Sequence, residues 1–151
     1  MRRITAAIAL AFALSACTPA QMAWYSAFHD AGGDAAAAID ATVAQYAAER
    51  DAATAGRLCV DWYDYAIEVG FTPEQWAEPI SRIMWRESRC NPGAVGPTDD
   101  WGIMQIHGPW VGALCSAGIA CSRAELLDPS VNLRAAFYVY GVQGWRAWMT
   151  Y

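Results

Sequence analysis

The short stretch between Pro79 and Asn91-Pro92 constrains this chain more than any other. Proline suits the first turn of a helix, where its missing N–H costs nothing, and the residue before a proline avoids the α region. The two prolines therefore predict a helix over 79–89 with Glu87 near its C-terminus. Ile80, Ile83, Met84 and Glu87 follow the i, i+3, i+4, i+7 rule, so the carboxylate shares a stripe with the core-facing residues. Burial and the partial negative charge of a helix end both penalise its ionised form, which suits a general acid. The competing reading is an ion pair: Glu87 turns sideways to Arg86 or Arg89 and forms a solvated cluster at the helix end.

Nine residues beyond Pro92 begins Trp101-Gly102-Ile103-Met104-Gln105-Ile106. The run Glu87-Ser88, Asn91-Pro92-Gly93-Ala94 and Asp100-Trp101-Gly102-Ile103-Met104-Gln105-Ile106 resembles the catalytic core of lysozyme-like enzymes, in particular the soluble lytic transglycosylase type. Weaker similarity reaches from Cys59-Val60-Asp61-Trp62 to Asp128-Pro129-Ser130-Val131-Asn132-Leu133 and Gly144-Trp145. The resemblance implies a mainly α, lysozyme-like α+β fold, with a small β-hairpin beside a substrate cleft. It also implies cleavage of the β-1,4 bond between N-acetylmuramic acid and N-acetylglucosamine in peptidoglycan. In that chemistry Glu87 protonates the leaving oxygen and returns as base, while the sugar's C6 hydroxyl closes a 1,6-anhydro ring. No cofactor or metal is needed.

Asp100 opens an alternative. An Asp-aromatic-Gly-Ile-Met-Gln-Ile run also resembles animal-type lysozymes, where this Asp is the second catalytic carboxylate, so retaining hydrolysis is the rival reaction. Against both stands a plain polar turn at Asp99-Asp100 after Gly96-Pro97-Thr98. A third possibility is a peptidoglycan-binding lipoprotein without turnover, although an intact Glu87 inside both motifs favours an enzyme.

The remaining candidate substrate-binding residues each carry two readings. Ser88 either holds the Glu87 carboxyl or merely ends the helix. Gln105 either lines the cleft, as the resemblance implies, or is a structural amide tied to main chain. Gly102 suggests close approach by substrate or by another backbone. Trp101, Trp110 and Trp145 are candidate sugar platforms, of which one is expected to line the cleft. Tyr140 shares the stripe Leu133, Ala136, Phe137, Tyr140, where core packing is the default role and a cleft-facing Tyr the one the resemblance implies. His107 stands where relatives commonly have Asn, and His29 is far away in sequence, so metal binding has no support.

The chain starts with Met1-Arg2-Arg3, an apolar run from Ile4 to Leu14, and then Leu14-Ser15-Ala16-Cys17. This is a signal-peptide pattern that resembles a bacterial lipobox. It implies cleavage after residue 16, acylation of Cys17 and a stable membrane anchor. Thr18 after the cysteine implies sorting to the outer membrane, facing the periplasm, if the host is Gram-negative. The remaining cysteines, Cys59, Cys90, Cys115 and Cys121, are even in number, which points to disulfides in an exported chain. Three connectivities exist; Cys59–Cys90 with Cys115–Cys121 is favoured, and no Cys-x-x-Cys pair supports zinc.

Composition divides the chain into a signal at 1–16, an alanine-rich tether at 17–56 with a helix near 35–54, and a catalytic domain at 57–151. About 95 residues suffice for one modest core that disulfides would help. Helical spacing or caps appear near 58–69, 79–89, 122–127 and 129–140, with Gly70 and Gly141 as stops, Asp128 as a cap and a hairpin within 94–106. The net charge is −5 and the basic residues include no lysine, which argues against nucleic-acid partners.

Overall fold

The computed structural model describes residues 19–148. The signal run, the lipobox and Cys17 lie outside the described residues. The chain forms two compact units, one ending at Glu49 and one starting at Arg50.

The first unit carries helix α1 (Pro19–Asp30) and most of helix α2 (Ala35–Thr54), linked through Gly32 and Gly33. Alanine is the strongest helix former, so α2 falls where composition places it. Its start is fixed by Asp34, whose carboxylate accepts hydrogen bonds from the N–H groups of Ala36 and Ala37 at 2.9 and 3.2 Å. Helix α1 was not expected; it is supported by i, i+4 pairs, with Trp24 stacked on Phe28 at 5.2 Å and Tyr25 bonded to His29 at 2.9 Å. Among the described residues no helix is long and apolar enough to cross a membrane.

The second unit opens on the last turn of α2, where Arg50 pairs with Asp64 at 3.2 Å and Ala53 packs against the core. A 3-10 turn (Val60–Trp62) leads into helix α3 (Tyr63–Glu68), which buries Tyr63 and Ala66. Thr72 and Gln75 then form a reciprocal capping box ahead of Trp76. Before the Glu87 helix the backbone breaks at Glu78, which is extended (φ −152°, ψ 116°) and joined to Pro79 by a cis peptide. Helix α4 (Ser81–Ser88) follows, with Ile83 and Met84 buried as the stripe requires. It stops at Arg89, left-handed at φ 56°, before the Asn91-Pro92 signal is reached.

Strand β1 (Asp100–Trp101) pairs antiparallel with strand β2 (Ile106–His107), with Asp100 opposite His107 and Trp101 opposite Ile106. A further bridge joins Val95 to Trp101. Helix α5 (Val111–Ser116), which no sequence signal marked, follows the hairpin. The 122–127 segment is a 3-10 turn (Ala124–Leu127), with Ser122 bonded to Glu125 at 2.7 Å.

Helix α6 (Pro129–Gln143) is capped by Asp128, which accepts from the N–H groups of Ser130 and Val131 at 2.8 and 3.1 Å. It runs through Gly141 rather than stopping there, because the positive φ that ends a helix falls on Gly144 (62°). Its inner face, Leu133, Ala135, Ala136 and Val139, completes the core with Ile80, Met84, Ile103 and Met104. This is the mainly α fold with a small hairpin that the sequence implied.

Candidate active site

Glu87 reaches the site because its helix end is held from several directions. Cys90, at φ 63°, forms a disulfide with Cys59, and its carbonyl accepts from the Trp62 indole at 3.2 Å. Ser88 is buried and its hydroxyl lies 2.8 Å from the carbonyl oxygen of Ile103 and 3.1 Å from that of Met84. It therefore ties the end of α4 to the hairpin turn and does not hold the Glu87 carboxyl. Glu87 itself lines an open cleft of about 470 Å³, with its side chain 15% exposed. Arg86 donates to its Oε1 from Nη2 at 3.1 Å and also bonds the carbonyl of Trp148. The ion pair with Arg86 is present, but it does not turn Glu87 away from the cleft.

The opposite contribution comes from the hairpin. Asp100 and His107 are directly opposed across the two strands, which puts both side chains on one face. His107 Nδ1 lies 3.0 Å from Asp100 Oδ1, and the Thr98 hydroxyl donates to Oδ2. All three residues line the same cleft as Glu87. Asp100, with its side chain 17% exposed, is engaged at both oxygens.

The neighbouring acid plays the turn role instead. Asp99, at φ 68°, receives Arg123 through Nε and Nη2 at 2.7 and 2.6 Å and the Trp101 indole N–H at 2.7 Å. The Arg123 guanidinium first, and the Trp101 bond second, hold the Asp99 carboxyl at a pKa of about 2, below its ordinary 3.8. The clamp depends on Gly108, where a Cβ would lie 2.1 Å from Asp99 Oδ2.

The turn between the strands is fixed by Asn132, fully buried on α6. Its amide oxygen accepts from Met104 N–H at 2.9 Å, and its nitrogen donates to the carbonyls of Trp101 and Leu126, each at 2.8 Å. Gly102, at φ 74°, permits this packing, since a Cβ there would stand 2.1 Å from the Leu126 carbonyl. The close approach expected at Gly102 is therefore one of backbone. Gln105, at φ 47°, donates to the carbonyls of Gly102 (2.8 Å) and Ala94 (3.2 Å) while still lining the cleft. Trp148 closes the frame by donating to the Met104 carbonyl at 2.8 Å.

Of the residues singled out in the sequence, the cleft brings together Glu87, Asp100 and Gln105, together with Trp110, one of the three candidate platforms. It does not gather the others. Trp101 is turned to Asp99, and Trp145 packs on Tyr140 at 4.2 Å. Tyr140 accepts from Gln75 at 3.1 Å and neighbours Phe71, so its position is one of packing. Cys59 pairs with Cys90 and Cys115 with Cys121, the favoured connectivity.

Several contributors were not anticipated. In the sequence His107 stands out only as a departure from the usual Asn, without support as a metal ligand, and Thr98 only as part of a turn. Trp148, Val139 and Gln143 line the cleft from the closing turn and α6. For Asn132 a signal did exist: a polar residue at a buried position of the Leu133, Ala136 stripe must find partners.

A cleft with one carboxyl beside an arginine and a second carboxylate fixed by two donors can supply acid–base chemistry at a polar substrate. The family model described as Transglycosylase SLT domain matches residues 64–140, just over half of the chain and all of the residues from Glu87 to Asn132. Comparison with curated proteins and with solved structures returned no match.

Proposed function

Because the chain belongs to the transglycosylase SLT domain family, we propose that it is a lytic transglycosylase that cuts the β-1,4 bond between N-acetylmuramic acid and N-acetylglucosamine in peptidoglycan. Glycosidic-bond cleavage is the activity of the family; the reaction course and the residue roles are our reading. The observation that carries it is the placement of Glu87, mostly buried yet lining the cleft. Glu87 delivers a proton to the leaving oxygen, and the C6 hydroxyl of the muramic acid residue attacks its own anomeric carbon. Glu87 takes up that hydroxyl proton, and the product ends in a 1,6-anhydro ring with no water consumed. Arg86, bonded to both Glu87 and the Trp148 carbonyl, orients the carboxyl.

A hydrolytic muramidase is the second reading, and it is favoured by one observation, the presence of Asp100 in the same cleft. Its two oxygens are already occupied by Thr98 and His107, which suits a fixed carboxylate better than an attacking one. The two reactions differ in product mass: anhydro ends are one water lighter than reducing ends, so mass analysis of digested peptidoglycan separates them. The proposal includes location, a cell-envelope enzyme anchored through lipid on Cys17.

A further inference from the structure

Asp100 and His107 do more in this cleft than occupy it, and their roles follow from hydrogen-bond chemistry. An ionised carboxylate only accepts, so the 3.0 Å contact between Asp100 Oδ1 and His107 Nδ1 requires the proton on Nδ1. In its neutral form the imidazole then carries an unprotonated Nε2, a lone pair with no hydrogen-bond partner among the described residues. The ring cannot drift to the other tautomer cheaply, because the Thr98 hydroxyl and the strand register both hold Asp100 in place. The His107 side chain is 52% exposed and lines the cleft that holds Glu87. Packing against the rest of the chain leaves about half of the ring exposed.

We propose that His107 is a substrate-binding residue whose Nε2 accepts a hydrogen bond from a ring hydroxyl of the bound glycan, and that Asp100 is the positioning residue that fixes its tautomer. Hydroxyls are the donors a polysaccharide presents in greatest number, and an acceptor of fixed orientation discriminates among them. This inference rests on the saccharide reading of the cleft.

The test uses the full chain with the Glu87→Gln substitution, which removes turnover, and as probe a tetrasaccharide of alternating N-acetylglucosamine and N-acetylmuramic acid. Nitrogen-15 spectra of the histidines are expected to show the Nδ1–H tautomer at His107, and its Nε2 resonance should move when the tetrasaccharide is added. Adding His107→Ala should weaken tetrasaccharide binding roughly tenfold, the scale of one hydrogen bond. Adding Asp100→Ala instead should mix the tautomers and weaken binding to a smaller extent. A Glu87→Gln protein that binds no tetrasaccharide would sink the saccharide reading of the cleft and the inference with it. Binding that leaves the Nε2 resonance in place and is indifferent to His107→Ala would overturn the inference alone.

Discussion

Two neighbouring acids, Asp99 and Asp100, show how single residues divide the work of one turn. Asp99 is taken by Arg123 and Trp101 and serves the hairpin, while Asp100 faces the cleft. The Asp99 carboxyl is held at about 2 against an ordinary 3.8, so its stabilising contribution is complete above the unfolded value and is lost as pH falls through the folded one. A carbon-13 carboxyl titration should place the Asp99 midpoint near 2, and Arg123→Ala should return it towards 3.8. An unmoved midpoint in that variant would dismiss Arg123 as the cause. Glu87→Gln should remove a hundredfold or more of the rate, the scale of a general acid, while its circular dichroism and melting stay near those of the parent chain. Arg86 should matter through Glu87: Arg86→Ala lowers turnover, and Arg86→Lys restores part of it.

At the scale of elements, the site depends on how α4, the hairpin and α6 are tied together. Asn132→Ala removes three hydrogen bonds, those to the Met104 N–H and to the Trp101 and Leu126 carbonyls. It should cost about 2–4 kcal/mol, read as a lower denaturation midpoint; a change within error would mean that the turn between β1 and β2 is held by other contacts. The Cys59–Cys90 bridge closes a loop with a sequence separation of 31 and should contribute about 4 kcal/mol on the loop-entropy scale, against about 2 for Cys115–Cys121 with its separation of 6. Local signals in the sequence located these elements where local chemistry decides. Asp128 with Pro129 marks the start of α6, and the alanine run marks α2. Where tertiary contact decides, they did not: α5 has no cap of its own, α4 begins after a break at Glu78, and the stop of α6 moved from Gly141 to Gly144. The candidate site divides in the same way. Glu87, Asp100 and Gln105 are legible because their motif places them near turns. The tasks of Ser88, Asn132 and His107 are set by partners far along the chain or across the strands.

For the whole molecule, the proposed lipid anchor on Cys17 would make the domain a tethered one. Cys17→Ala should move the protein from the membrane fraction to the soluble fraction without changing its two disulfides; a wild-type chain that carries no acyl groups would end that reading. The family assignment rests on residues 64–140, and the residues lining the cleft lie within them apart from Gln143, Ala147 and Trp148. What the molecule does with this frame is decided by the fate of the cleaved bond. The most direct test is mass spectrometry of the soluble fragments that the purified full chain releases from peptidoglycan, run beside Glu87→Gln. Fragments ending in 1,6-anhydro-muramic acid, absent from the Glu87→Gln digest, are the predicted result. Fragments with reducing ends, or equal release by the Glu87→Gln protein, would contradict it.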